Sequence, residues 1–181
     1  MRPRFGTRGM PPEAYASWRS SMAARGGVPA RILAWARSAD GFVVGSVAAL
    51  SVGGAGPGSD DWRHVGWHEI EHGGWNAEAR SLSWTMHNGR RGRVELADPG
   101  RLPELFRERV SASIAVERFV AIRGERGVTV TARRDLGGDG GLTWHSSLTR
   151  GLSWSGEGVA EEAARAAAEL ESEYGSSARG W

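Results

Sequence analysis

The stretch Ser81–Leu96, SLSWTMHNGRRGRVEL, predicts a β-hairpin and decides which class of fold the chain can adopt. Apolar and polar residues alternate in both halves of this stretch, as in strands that bury one face. The turn His87-Asn88-Gly89-Arg90 separates the halves, and the Asn-Gly pair within it is the preferred one where two successive turn residues need positive φ. The chain therefore contains antiparallel strands.

Runs of similar pattern lie on both sides of this hairpin. Upstream, strands are predicted at 32–36, 42–45, 48–52, 65–70 and 75–84, with a turn at 39–41 and a glycine-rich loop at 53–59. Downstream, Ile114, Val116, Val120 and Ile122 share one face of a strand, and further strand residues follow the turns 124–127 and 137–141.

Two amphipathic helices and one short helix complete the set of predicted elements. After Asp98-Pro99, one helical stripe is formed by Leu102, Leu105, Phe106 and Val110. The segment 157–174 is rich in Ala and Glu and carries a second such stripe, and Gly175 ends it. A short helix is predicted at 12–24.

The order of these elements predicts an α+β fold. It has an antiparallel strand-rich core, a middle helix, added C-terminal strands and a long C-terminal helix. A length of 181 residues fits one domain of ordinary size. We expect that domain at 29–175, an N-terminal arm and short helix at 1–28, and a tail at 176–181.

Part of this arrangement resembles known bacterial domains. Leu50, the segment Val65–Ile70 and the hairpin up to Leu96 with its following helix resemble the PH-like and GRAM-like domains over residues 29–115. The resemblance implies a PH-like core. Residues 29–175 also resemble a family of uncharacterised actinobacterial proteins, and this resemblance assigns no catalytic residues. That likeness rests on Trp67-x-x-Ile70, Trp75-Asn76-x-Glu78, Arg109-Val110-x-Ala112-Ser113, Arg123-Gly124-x-Arg126-Gly127, Ala132-Arg133-Arg134 and Gly137-Gly138-Asp139-Gly140.

Composition excludes several classes of function. The chain has no cysteine, so it has no disulfide framework, thiol nucleophile or thiolate metal site. All 23 basic residues are arginine, and the net charge is only +2, so a sequence pI of 9.9 overstates the basic character. No signal peptide or membrane-spanning run is visible, which predicts a cytoplasmic protein.

Nine tryptophans are distributed along the chain. Trp35, Trp67, Trp84 and Trp144 lie in predicted strands, where filling a core is the expected role of a large aromatic side chain. Trp62 and Trp181 lie outside predicted strands, and we expect them nearer solvent.

The segment His68-Glu69-Ile70-Glu71-His72 matches the H-E-x-x-H pattern of zinc hydrolases. That chemistry requires a helix, on which residues four apart share a face and the Glu can polarise zinc-bound water. Gly66 would lie inside such a helix, and no third ligand is specified. We therefore expect extended backbone from Val65 to Ile70, with Trp67 and Ile70 on opposite faces unless a turn intervenes. We expect no metal and no cofactor, and zinc hydrolysis is the least favoured function.

Arg90, Arg91 and Arg93 form the most notable cluster of predicted exposed residues. Arginines can grip phosphate through two parallel hydrogen bonds, so the cluster is a candidate site for an anionic ligand, a phospholipid headgroup or nucleic acid. A solvated turn is the competing interpretation, with Glu95, Glu125 and Asp135 as neutralising neighbours. Arg123, Arg126, Arg133 and Arg134 join the cluster if their turns lie at the same end.

The sequence favours a non-enzymatic interaction module that binds a protein partner. Its first alternative is an anionic-ligand binder that uses the Arg90, Arg91 and Arg93 turn.

Overall fold

The computed structural model of the protein describes residues 9–26, 31–54 and 61–175. These residues form three α-helices and three antiparallel sheets, which confirms the mixed α+β class. The predicted tail, Trp181 and residues 1–8 of the predicted arm lie outside the described residues. The elements are α1 (Pro12–Arg25), β1 (Ile32–Ser38), β2 (Gly41–Ser46), β3 (Ala49–Gly53), β4 (Arg63–Gly66), β5 (Ile70–Asn76), β6 (Ser81–Met86), β7 (Arg91–Glu95), α2 (Leu102–Ser113), β8 (Ile114–Arg123), β9 (Arg126–Arg134), β10 (Leu142–Leu148) and α3 (Val159–Gly175).

The chain divides into two compact units. The first unit comprises Met1–Ser113 with Asp135–Gly141, and the second comprises Ile114–Arg134 with Leu142–Trp181. The grouping of residues 29–175 into one domain stays a prediction.

The first unit contains two sheets and the helix α2. One sheet has the order β1-β2-β3-β4 and the other has the order β5-β6-β7. Both sheets and α2 contribute to one hydrophobic core, in which Leu50, Trp67, Ile70, Leu82 and Phe106 are almost completely buried. Its central side chains therefore come from elements far apart in the sequence.

Helix α1 packs in a second cluster with residues of the four-stranded sheet. Trp18 is fully buried there, together with Val44 and Ala49. Trp62 belongs to the same cluster and is only 7% exposed, so the expectation that it lies near solvent is wrong. Its indole Nε1 donates a hydrogen bond to Ser17 Oγ on α1 at 2.9 Å, which satisfies its one polar atom.

The second unit consists of the sheet β10-β9-β8 and the C-terminal helix α3. Val128 and Val130 of β9 pack in one cluster with Ala163, Ala166 and Leu170. These three belong to the stripe predicted for the helix, which is Val159, Ala163, Ala166, Leu170 and Tyr174. No helix in the described parts of the chain is long and apolar enough to cross a membrane.

The segment 65–70 differs from its predicted extended form. Trp67–Glu69 forms a 3-10 turn between β4 and β5, and both Trp67 and Ile70 are completely buried. The prediction of extended backbone is therefore wrong for Trp67–Glu69. The turn rotates the chain so that two side chains three residues apart reach one core, and Glu69 Oε2 accepts a hydrogen bond from the Gly66 N–H at 2.6 Å.

Candidate functional site

The β6–β7 hairpin forms as predicted, and its turn lies within the predicted turn residues His87-Asn88-Gly89-Arg90. The Gly89 N–H donates to the Met86 carbonyl, the Met86 N–H donates to the Arg90 carbonyl, and Gly89 has φ of 80°. Asn88 does not have positive φ. The loop therefore has three residues, a tight turn followed by one left-handed glycine.

The register of the three-stranded sheet places Arg91 and Arg93 on one face. Arg91 lies opposite Thr85, Arg93 lies opposite Ser83, and His72 of β5 lies opposite Thr85. Side chains at directly opposed positions lie on the same face of a sheet. These residues line one concavity with a volume of about 440 Å³. We call its lining, His72, Ser83, Thr85, Arg91 and Arg93, the arginine face.

Every one of these five side chains can donate a hydrogen bond. Gly74 lies opposite Ser83, and nothing lies within 4 Å of the position that a Cβ atom would take there. The arginine face is therefore open beside Ser83 and suited to an acceptor-rich anion.

A second concavity is lined by residues of both sheets of the first unit and has a volume of about 520 Å³. We call it the inter-sheet cleft. Its apolar residues are Val52 and Val65 from one sheet and Trp84 and Met86 from the other. Its cationic residues are Arg63, Arg90, Arg91 and Arg93, so Arg91 and Arg93 border both concavities.

Few carboxylates oppose this positive charge. Glu69, which borders the inter-sheet cleft, faces Arg25 at 3.4 Å in addition to its bond from the Gly66 N–H. Among the described residues, Arg63, Arg90 and Arg91 form no ion pair, whereas Arg93 faces Glu95 at 3.5 Å. Both concavities therefore keep an excess of positive charge.

The carboxylates expected to neutralise the hairpin do so only in part. Glu95 pairs with Arg93 as expected. Asp135 instead lies beside His68, with 3.5 Å between its Oδ1 and the His68 Nδ1, and Glu125 belongs to the second unit. Arg123, Arg126, Arg133 and Arg134 also belong to the second unit, where Arg123 donates to the Glu157 carbonyl.

The shape of the inter-sheet cleft depends on a glycine. Gly92 lies opposite Trp84, and a Cβ atom at position 92 would lie 2.1 Å from Trp84 Cζ2. The indole therefore lies directly against the backbone of β7, which only glycine permits.

A hydrogen-bonded network that sequence reasoning missed lies beside the cleft. His64 Nδ1 lies 2.8 Å from Ser51 Oγ, and His64 Nε2 lies 2.8 Å from Ser21 Oγ on α1. Trp18 Nε1 donates to Ser51 Oγ at 3.0 Å. The network joins α1 to β3 and β4, and no local motif connects residues at such separations.

Burial lowers the pKa of His64 below its ordinary value of 6.5, and the nearby Arg25 guanidinium lowers this pKa further. As pH falls, the unfolded chain therefore takes up a proton at His64 at a higher pH than the folded protein does. As pH falls below 6.5, the free energy of unfolding decreases until the folded-state pKa has been passed.

We expect urea unfolding at a series of pH values to show this loss of stability in the parent protein and a smaller loss in His64→Gln. His72→Gln is the matched control, because the His72 side chain is 71% exposed beside Glu71. An equal loss of stability on acidification in the parent and His64→Gln would contradict the assignment.

The H-E-x-x-H residues are placed on different elements. His68 lies in the 3-10 turn with a side chain 16% exposed, whereas His72 lies on β5. Glu69, which would polarise zinc-bound water, is engaged by Arg25 and the Gly66 N–H. Within the described ranges, no three His, Asp or Glu side chains are grouped so that they could hold a metal ion.

The chain matches no protein-family model, and no curated protein or solved structure is significantly similar to it. The PH-like and actinobacterial resemblances therefore stay predictions.

Proposed function

We propose that the first unit is a PH-like interaction module without catalytic activity, and that it binds a compact anionic group at the β6–β7 hairpin. Its short strands form a four-stranded and a three-stranded sheet, and α2 follows them. This order is the one that the PH-like resemblance of residues 29–115 implies, a set of short strands closed by a helix.

One observation supports the proposal that the ligand is anionic. Arg91 and Arg93 border both concave surfaces and Arg90 borders the inter-sheet cleft, and only Arg93 among the three has an acidic partner in the described chain. Arginine hydrogen bonds to phosphate or carboxylate are stronger than bonds between neutral groups. A solvated turn explains the exposure of these arginines, but it does not explain why all three border the same cleft.

A lipid headgroup fits the site better than a nucleic-acid strand does. Proteins that bind single strands stack bases on exposed aromatic side chains. Trp84, the aromatic residue in both concavities, is only 8% exposed. The large hydrophobic side chains exposed in the described chain, Phe119 and Trp154, belong to the second unit.

The triple variant Arg90→Ala/Arg91→Ala/Arg93→Ala is expected to bind acidic vesicles about 100-fold more weakly than the parent. Each arginine near an anionic membrane surface contributes about 1 kcal/mol. Sedimentation with phosphatidylcholine–phosphatidylserine vesicles measures this change, and the affinity of the parent should fall as salt is raised.

The matched control is Arg19→Ala/Arg101→Ala/Arg107→Ala, which removes the same charge from exposed positions of the first unit. If the two triple variants lose equal affinity for acidic vesicles, binding is general electrostatic attraction and the hairpin is not a specific site. Failure of the parent to bind acidic vesicles at low salt would refute the proposal. Tighter binding to single-stranded DNA than to vesicles would assign the hairpin to nucleic acid instead.

A protein partner, the first choice from sequence, is the second candidate function. One observation favours it. Phe119 is 50% exposed on β8, which is an outer strand of the sheet in the second unit. Aromatic side chains are enriched in protein interfaces relative to the rest of the surface. Binding of such a partner would survive the hairpin triple variant.

A further inference from the structure

We infer that the inter-sheet cleft receives an alkyl chain attached to the anionic group, so that the ligand is a single-chain amphiphilic anion such as an alkyl phosphate. The inference rests on the proposed function, because the hairpin arginines bind the head of this ligand. It adds a second part to the site, the apolar wall of the cleft.

The first step concerns the wall. Val52, Val65, Trp84 and Met86 line the cleft, and two of them come from each sheet. An apolar chain between the sheets would therefore contact apolar side chains on two sides. Because burial of apolar surface drives binding in proportion to its area, this geometry favours an alkyl chain over a bare ion.

The second step concerns the juxtaposition of charge and apolar surface. Val52 of β3 and Arg63 of β4 are directly opposed in the register, so their side chains lie on the same face of the four-stranded sheet. Arg91 and Arg93 of β7, with Arg90 in the hairpin turn, supply cations from the side of the other sheet. An amphiphile with its head among these guanidinium groups would therefore place its chain beside Val52.

The third step concerns the carboxylate in the cleft. Glu69 would repel an anion if its charge were free. Its Oε2 accepts from the Gly66 N–H at 2.6 Å and lies 3.4 Å from the Arg25 guanidinium. The negative charge is thus already compensated, and four arginines remain around the cleft.

The fourth step concerns size. A volume of about 520 Å³ lies within the range of about 300–1,000 Å³ that is typical of small-ligand pockets. The close contact between Trp84 and Gly92 keeps the indole against the strand and leaves this volume free. The cleft therefore has room for a small molecule.

The test is calorimetric titration of the full chain with octyl, decyl and dodecyl phosphate below their micellar concentrations. We expect affinity to rise by up to about fourfold for each methylene that enters the cleft. Heat capacity should decrease on binding, as it does whenever apolar surface is buried. Inorganic phosphate and dodecyl maltoside serve as the head alone and the uncharged amphiphile, and both should bind more weakly than dodecyl phosphate.

Two variants separate the parts of the site. Val52→Thr/Val65→Thr keeps the shape of both side chains and replaces a methyl group by a hydroxyl in each. We expect it to weaken the binding of dodecyl phosphate and to leave the binding of inorganic phosphate unchanged. Arg63→Ala should lower the affinity for dodecyl phosphate about fivefold, because Arg63 borders the cleft and not the arginine face. Val116→Thr, a partly buried position of the second unit, is the control.

The outcomes distinguish this inference from the proposed function. Equal affinity for inorganic phosphate and dodecyl phosphate would overturn the alkyl site and leave the anion site standing. Equal affinity for dodecyl maltoside and dodecyl phosphate would overturn the pairing of chain with charge. If neither phosphate, alkyl phosphates nor acidic vesicles bind, both proposals fail.

Discussion

Replacement of Trp67 by alanine is expected to lower the free energy of unfolding by about 3–5 kcal/mol, as for other large buried aromatic residues. Trp67 is completely buried and lies edge-on to Phe106, with ring centroids 6.0 Å apart. Its Nε1 also donates to the Ser46 carbonyl at 3.0 Å. Domains are stable by only about 5–15 kcal/mol, so this single substitution removes a large part of the total.

Urea unfolding followed by circular dichroism measures the loss. Trp154→Ala is the matched control, because the Trp154 side chain is 48% exposed and its removal should change stability by less than about 0.5 kcal/mol. Equal effects of the two substitutions would show that Trp67 does not lie at the centre of the core.

Gly92→Ala is expected to destabilise the protein by about 1–3 kcal/mol, which is the usual cost of overpacking a close contact. The new Cβ atom would lie 2.1 Å from Cζ2 and 2.2 Å from Cε2 of Trp84. Because such distances are impossible, either the indole or the strand must move. We therefore expect the inter-sheet cleft to change shape as well, and alkyl phosphate affinity to fall with stability.

Gly74→Ala provides a control of the same chemistry in the same sheet. Nothing lies within 4 Å of a Cβ atom at Gly74, and its φ is not positive. Alanine there should be neutral or stabilising by up to about 1 kcal/mol, because it restricts the unfolded chain. Thermal unfolding of the two variants gives the comparison, and a destabilisation of Gly74→Ala equal to that of Gly92→Ala would contradict the contact with Trp84.

Local patterns predicted most of the elements. The alternation in 81–96 placed the hairpin within one residue of its observed strands. The stripe in α2 was equally informative, since Leu102, Leu105 and Phe106 are buried. These predictions hold because periodicity records which face of an element is apolar, and that property requires no knowledge of what the face contacts.

The prediction for 65–70 was wrong where local pattern and tertiary contact disagree. Trp67 and Ile70, three residues apart, suit opposite faces of an extended strand, but the core receives both. The 3-10 turn that allows this depends on Glu69, whose carboxylate is held by Arg25 of α1. Arg25 and Glu69 are 44 residues apart in the sequence, so no pattern within a short window of sequence can predict their contact.

The candidate site shows the same division. Sequence singled out Arg90, Arg91 and Arg93, since a run of arginines at a turn is apparent without a structure. It did not find Arg63, Val52 or Val65 as part of the site, because these residues come from the other sheet.

The sequence by itself thus determined the mixed α+β class, the hairpin and its arginines, and the apolar stripes of α2 and α3. Tertiary structure alone decided that Trp62 is buried, that His64 links Ser21 to Ser51, and that two sheets enclose a cleft lined by arginine and valine. The physical reason is range. Backbone preference and amphipathic period act between near neighbours, whereas a cavity and a buried hydrogen-bond network exist only after distant segments have packed together.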